Sequence, residues 1–331
     1  MMATNCVFLF LTERCNLSCA HCYVSSSPQL DNIMQLPTVL AAIEVFQDRG
    51  ITDFRLIGGE PTIHPEFEAI CHAILSAGCN LRLVSNGIKM FKDPRLLTLL
   101  ERTTMCWIST YGTTPAKHET LGGSGCISLA RLERWVGDLS GMGYQVGLSI
   151  LLTPGDRLNI HGTIERLVKV GIRNVRFIPL EPDGRGALMI VPWHDWEQEL
   201  RAIYDEIAKS TYSGAFDMLA INDPFDLGGR FEHGYDSCLL HRRQMWSVVP
   251  GGDVYSCCFN VFASDHRVGH INDPTVGNQI QTWQLPSIER PCRAFNDGYW
   301  RQPGPLKVTC PLSSISLSNR FTAGHQSDVS N

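Results

Sequence analysis

The chain has 331 residues, 44% hydrophobic and 18% charged, with 28 basic against 33 acidic side chains for a formal net charge of −5. That length holds one large domain or two modest ones, and the composition excludes wholesale disorder. A mildly acidic chain without clustered Lys and Arg is not built for generic nucleic-acid binding, and no run of 18 or more apolar residues suggests a membrane span.

Residues 7–10 form a short apolar run with no basic residue before it and no small-residue cleavage site after it, so they read as a strand buried on both faces rather than a signal peptide. A cytoplasmic location is expected. Pro37 opens a helix in which Val39, Ile43 and Phe46 recur at i, i+4 and i+7, and Gly50 ends it. A second strand at 54–57 runs into Gly58-Gly59-Glu60-Pro61. Phe67, Ile70 and Ile74 mark the next helix. A third strand at 81–84 precedes Ser85-Asn86-Gly87, and 96–100 is helical. The fourth strand, 105–108, meets Ser109. Leu129, Leu132, Val136 and Leu139 mark a long helix, followed by a strand at 146–152, a helix at 164–168 and a strand at 175–178.

Six βα units in order predict an α/β fold with a parallel sheet and outer helices, short of the eight units of a full barrel: a partial (β/α)6 TIM-like barrel. The polar clusters that follow strands two, three and four then share the C-terminal rim, where sites in such sheets form. Trp196, Leu200, Ile203 and Ile207 give one more helix. From about Phe225 the chain is rich in Gly, Pro, Asp and Cys. The expected division is a barrel with a linking helix at 1–229, a small cysteine-rich domain at 230–311 and a mobile polar tail at 312–331.

Thirteen cysteines is a high count. An odd number without a signal favours reduced thiols, some of them binding metal. Cys15, Cys19 and Cys22 follow the first strand with the spacing C-x3-C-x2-C. Three soft thiolates on one loop suit a [4Fe–4S] cluster and leave one iron open to another ligand. A zinc site and chance clustering remain the alternatives at this point.

The loop resembles the cysteine signature of the radical S-adenosylmethionine (radical SAM) superfamily, with His21 in the place of its usual aromatic residue. Gly58-Gly59-Glu60-Pro61 resembles that family's second motif. The resemblance spans about residues 6–185. It implies a [4Fe–4S] cluster whose open iron binds the methionyl group of SAM, and reductive cleavage to a 5′-deoxyadenosyl radical that abstracts a hydrogen atom from substrate. It implies that Gly58 and Gly59 let backbone approach the methionyl group and that Glu60 accepts a hydrogen bond from its amine. Ser85 and Ser109 stand where the family places contacts to the SAM carboxylate or ribose, although each also reads as a cap or turn residue. Leu121 occupies a position where some relatives carry an arginine clamp.

A second set, Cys238, Cys257, Cys258, Cys292 and Cys310, lies in the C-terminal third. Gly252 and Cys257 with Cys238 upstream resemble the opening of SPASM and twitch extensions. The resemblance implies one auxiliary [4Fe–4S] cluster held by Cys238, Cys257, Cys292 and Cys310, with a hairpin turning at Gly251-Gly252. Ordinary buried cysteine is the alternative. Cys258 is left over. If the pair lay on a strand its side chains would face opposite ways, making Cys258 a hydrogen-atom donor, the true ligand, or a packing residue. Cys6, Cys71, Cys79, Cys106 and Cys126 read as packing residues.

The family resemblance implies an oxidoreductase or maturase acting on a ribosomally made peptide, by epimerisation or cross-linking. The alternative is oxidation of a small molecule such as an aminocyclitol. An iron–sulfur carrier has no use for the second motif. Expected partners are the peptide or small-molecule substrate, a reductant such as flavodoxin or ferredoxin, and a separate peptide-recognition protein, since Cys15 lies so near the N-terminus.

Overall fold

Short aliphatic runs, each closed by glycine or a polar break, make the parallel strands of this chain. They are β1 (Cys6–Phe10), β2 (Asp53–Ile57), β3 (Asn80–Ser85), β4 (Met105–Thr110), β5 (Val146–Leu152), β6 (Asn174–Pro179) and β7 (Met218–Asn222). The helices are α1 (Leu36–Gln47), α2 (Phe67–Ser76), α3 (Ile88–Lys92), α4 (Leu97–Leu100), α5 (Pro115–Gly122), α6 (Leu129–Gly141), α7 (Ile160–Lys169) and α8 (Trp193–Ala208), then α9 (Val276–Thr282). Four further strands are β8 (Met245–Val248), β9 (Asp253–Tyr255), β10 (Arg267–His270) and β11 (Ser314–Ser316). The computed structural model describes residues 5–181, 183–189, 193–222, 245–258, 261, 266–284 and 314–316.

The eleven strands among the described residues join one sheet in the order β10-β9-β8-β1-β2-β3-β4-β5-β6-β7-β11. Neighbours from β1 to β7 pair in parallel, and β8 pairs in parallel with β1. The six expected βα units are present. A seventh parallel strand, β7, was not predicted from sequence, nor was the pairing of β8 that extends the same sheet into the cysteine-rich region. The expected boundary at 229 and 230 falls outside the described residues. β11, within the stretch expected as tail, pairs antiparallel with β7.

Strand alternation divides the side chains into two sets. Val7, Leu9, Phe54, Leu56, Leu81, Leu83, Cys106, Ile108, Leu148, Ile150, Val175 and Phe177 pack under the helices. Cys6, Phe8, Phe10 and Ile57 belong to a second, inward cluster with Met245 and Tyr255. Cys71, Cys79 and Cys106 lie in the helix-covered core, and Cys126 packs against it. Cys6 belongs to the inward cluster instead.

Helix α6 sits so close to the turn after α7 that a Cβ on Gly137 would collide with the Val170 carbonyl. Gly137→Ala gains about 0.5–1 kcal/mol of helix propensity but forces that contact apart. Overpacking costs about 1–3 kcal/mol, so the variant should unfold at lower urea concentration than wild type.

Candidate active site

The three-cysteine loop leaves β1 and is braced from below by the end of β2. Gly59 N donates to Thr12 O at 2.7 Å, and Glu60 N donates to Arg14 O at 3.0 Å. A Cβ on Gly58 would strike the Thr12 carbonyl, and one on Gly59 the Arg14 carbonyl. The two glycines therefore serve loop-on-loop packing. The nearest atoms of the chain to both positions are these carbonyls.

Glu60 is 1% exposed. Its Oε1 accepts from Thr62 N, Thr62 Oγ1 and Ser85 Oγ, and its Oε2 accepts from Asn86 N at 2.7 Å. Burial raises its pKa, against the lowering effect of these donors. The carboxylate is thus a hub joining the ends of β2 and β3. Ser85 Oγ also accepts from Gly87 N at 2.9 Å, so its hydroxyl is engaged inside the protein. Ser109 is half-buried on β4, opposite Ser149 on β5.

Asn86 carries the hub to the loop. Its Nδ2 donates to Asn16 Oδ1 at 2.7 Å and lies 4.0 Å from Cys15 Sγ, which also accepts from Leu17 N at 3.4 Å. Donors aimed at a sulfur favour its thiolate, which is the form that binds iron. Without metal, burial pushes the Cys15 and Cys19 thiols up to about 12, and the neighbouring cysteines add to the rise. The three sulfurs therefore share one neighbourhood. Among the described residues no three Cys, His, Asp or Glu side chains could hold a single metal ion. A cubic cluster asks instead for one thiolate per iron, and the loop offers three thiols with N–H donors around one of them. The residues fit such a cluster.

Three elements close over the loop that sequence reasoning did not single out for this role. Helix α5 ends on it: Ala20 N donates to Leu121 O at 3.0 Å, and Cys19 Sγ lies 3.8 Å from Gly122 O. Tyr111 stacks between His21 and His118, with ring centroids 5.1 Å apart in both pairs. Burial, with help from Arg185, lowers the His21 pKa to about 4, so its ring is neutral at pH 7. After β6, Arg185 donates from Nε to Cys19 O at 2.8 Å and from Nη2 to Ser26 O at 2.7 Å. The only linear hint of this clamp is the Gly184-Arg185-Gly186 turn, where a Cβ on Gly184 would collide with the carbonyl of Tyr23. Glu181, between β6 and that turn, is buried, and its Oε2 has no hydrogen-bond partner among the described residues. Burial and then Asp183 raise its pKa to about 8. An unpaired buried carboxyl group at this rim is poised to meet a ligand's donor.

The expected hairpin is present: β8 and β9 pair antiparallel around Gly252, whose φ is +90°. Cys257 and Cys258 follow β9 and are not on a strand, so the expectation of opposite faces fails. Both sulfurs approach Met245 Sδ, at 3.8 and 4.0 Å, and both are buried in the inward cluster. Tyr23 lies within electrostatic reach of Cys22, Cys257 and Cys258, and so links the two cysteine sets. Cys238, Cys292 and Cys310 lie outside the described residues.

Residues 9–120 match the family model of the radical SAM superfamily. This chain carries a radical SAM domain. Enzymes with this domain use a [4Fe–4S] cluster and SAM. The chain is 25% identical over 189 residues to the antilisterial bacteriocin subtilosin biosynthesis protein AlbA of Bacillus subtilis, covering 57% of this chain and 42% of AlbA. It is 25% identical over 293 residues to the mycofactocin maturase MftC of Mycobacterium ulcerans, covering 87% of this chain and 76% of MftC. The fold is similar to that of anSMEcpe with bound AdoMet and a Cp18Cys peptide, with a TM-score of 0.64, 17% identity, and coverage of 84% and 80%. The partial-barrel α/β class expected from sequence is the observed one. Among the described residues no helix is long and apolar enough to cross a membrane.

Two outcomes follow from this packing. Gly59→Ala should push the loop off β2 and lower the iron retained after reconstitution severalfold, read as iron per chain. Glu181 titrates from a usual value of 4.5 to about 8 in the fold, so the stability its neutral form gives is complete below the usual carboxylate range and lost as pH climbs to 8. Glu181→Gln is permanently neutral. In protein free of cluster and SAM it should leave the melting temperature at pH 4 nearly unchanged and stabilise the fold at pH 8 by on the order of 2–4 kcal/mol.

Proposed function

We propose that this chain is a radical SAM oxidoreductase that modifies a ribosomally made peptide, by epimerisation or cross-linking. The bracing of the three-cysteine loop by Gly58, Gly59 and the Glu60 hub carries the reading, because it builds a platform for a three-thiolate cluster with one iron open. The likeness to AlbA and MftC supports a peptide as substrate.

The cluster, with SAM bound, supplies a one-electron reductive cleavage that yields a carbon radical able to take a hydrogen atom from substrate. The protein's part is to hold and to exclude. Cys15, Cys19 and Cys22 hold the cluster. Glu60, fixed by four donors, sets the height of the loop and is the residue assigned to accept a hydrogen bond from the methionyl amine. Ser85 orders the turn after β3, while Ser109 faces inward where a SAM carboxylate or ribose is received. Tyr111 and Arg185 cover the loop and keep water from the thiolates. An auxiliary [4Fe–4S] cluster is assigned to Cys238, Cys257, Cys292 and Cys310, in a domain at 230–311 that follows the barrel at 1–229 and precedes a tail at 312–331. Cys258, beside that set and close to Tyr23, is the thiol assigned to return a hydrogen atom. A flavodoxin or ferredoxin in the cytoplasm would deliver the electron, and a separate protein would present the peptide.

Reconstituted protein with SAM and dithionite should release 5′-deoxyadenosine and methionine, and the Cys15/Cys19/Cys22→Ala variant should lose that release. Full activity in the triple variant would remove the reading. Fully loaded wild type should hold about eight iron atoms per chain and the triple variant about four, as two cubic clusters require. A wild-type value near four would remove the auxiliary cluster.

A further inference from the structure

Below the rim, the inward face of the sheet carries charges that the site above does not use. Arg55 on β2, Arg82 on β3 and Arg176 on β6 occupy inward positions of the strand alternation, as Trp107 does on β4. Arg55 and Arg82 share one carboxylate: Arg55 Nε lies 3.4 Å from Asp53 Oδ1 and Arg82 Nε lies 3.1 Å from Asp53 Oδ2. Both arginine side chains are 28% exposed although they stand inside the barrel. Arg176 has no carboxylate partner among the described residues. Its Nε donates to Ser149 Oγ at 3.0 Å, and its guanidinium lies 4.6 Å from the Trp107 ring centroid. Neither of its η nitrogens has a partner among the described residues, and neither is sealed from solvent.

Among the described residues, these three guanidinium groups share the inward face of the sheet with one aspartate, Asp53, which pairs with two of them. Such charges persist only when something answers them. The strain is visible at Arg176, whose pKa is lowered to about 9 by burial and by Arg55 and Arg82. β2 and β6 are four strands apart in the sheet, and strand alternation places all three arginines on its inward face, with Arg55 and Arg82 within electrostatic reach of Arg176. Stacking on Trp107 and on Phe8, 5.3 Å from Arg55, occupies the guanidinium faces and leaves edge N–H groups for a planar anion.

We infer that Arg55, Arg82 and Arg176 form a carboxylate-binding subsite inside the barrel, which anchors an acidic group of the substrate below the SAM platform. The inference rests on the peptide reading in taking carboxylate as the anion, since a peptide carries it either on an Asp or Glu side chain or at its C-terminus. Arg55 also lies within electrostatic reach of Cys258. A peptide anchored here would pass near Cys258.

The test is equilibrium binding by calorimetry of three tripeptide probes to the reconstituted protein: acetyl-Gly-Glu-Gly-amide, acetyl-Gly-Ala-Gly with a free C-terminus, and acetyl-Gly-Gln-Gly-amide. One or both carboxylate probes should bind at least fivefold more tightly than the glutamine probe, and which of the two binds identifies the source. Arg82→Gln and Arg176→Gln should each weaken that binding at least fivefold. Asp53→Asn removes the competing anion and should tighten it severalfold, a change that misfolding cannot imitate. Equal binding of all three probes, or binding indifferent to both arginine variants, overturns the subsite. So does Arg-dependent binding of inorganic phosphate with no binding of either carboxylate probe. Reductive SAM cleavage by the same wild-type preparation reports separately on the enzyme: cleavage without carboxylate binding removes the subsite alone, whereas binding without cleavage removes the proposed reaction and keeps the subsite.

Discussion

The site depends on one constraint: two backbone segments lie against each other with no room for a side chain between them. The three-cysteine loop crosses the end of β2 so closely that only glycine fits at positions 58 and 59, and hydrogen bonds from Gly59 and Glu60 fix the crossing. From that crossing the Glu60 side chain reaches Ser85 and Asn86, and Asn86 reaches the neighbourhood of Cys15. A strand end, a turn and a cysteine loop thereby move as one body. A buried carboxylate that accepts four donors is stable only while all four stay in place. The hub therefore enforces geometry more than it adds stability.

Order of this kind suits a reaction that generates a reactive radical. The loop is covered on one side by Tyr111 and the end of α5, and on another by Arg185. These elements come from β4 and β6, far from the loop in sequence, and they arrive because the sheet curls. The inward face of the same sheet carries Arg55, Arg82 and Arg176. One sheet thus carries both the cover above the thiols and the charged face below them.

Much of this was legible in the sequence. The strand runs, the cysteine spacing and the Gly58-Gly59-Glu60 segment are local patterns, and local patterns survive in a linear reading. The close packing that the glycines permit was not legible, because their neighbour is a carbonyl 45 or more positions away in the chain. Ser85, expected as a SAM contact or a turn residue, also donates to the Glu60 hub, a partner 25 positions away that no local pattern signals. Asn86, one residue on, passed unnoticed. Arg185, Tyr111 and Glu181 gave no periodic or spacing signal, since their roles exist only after tertiary packing. The Cys257-Cys258 pair follows a strand that ends at Tyr255, and a bend after β9 turns both sulfurs toward Met245. β7 and the pairing of β8 with β1 escaped a linear reading, because both are short strands and the partner of β8 lies more than 230 positions away in sequence.

The central claim is that the braced loop holds a cluster with one iron open to SAM. Electron paramagnetic resonance of the dithionite-reduced protein, recorded before and after SAM is added, tests this most directly. The account predicts that SAM changes the g values of a reduced [4Fe–4S] signal, and that the change is absent from protein lacking Cys15, Cys19 and Cys22. A reduced-cluster spectrum that is the same with and without SAM would contradict it.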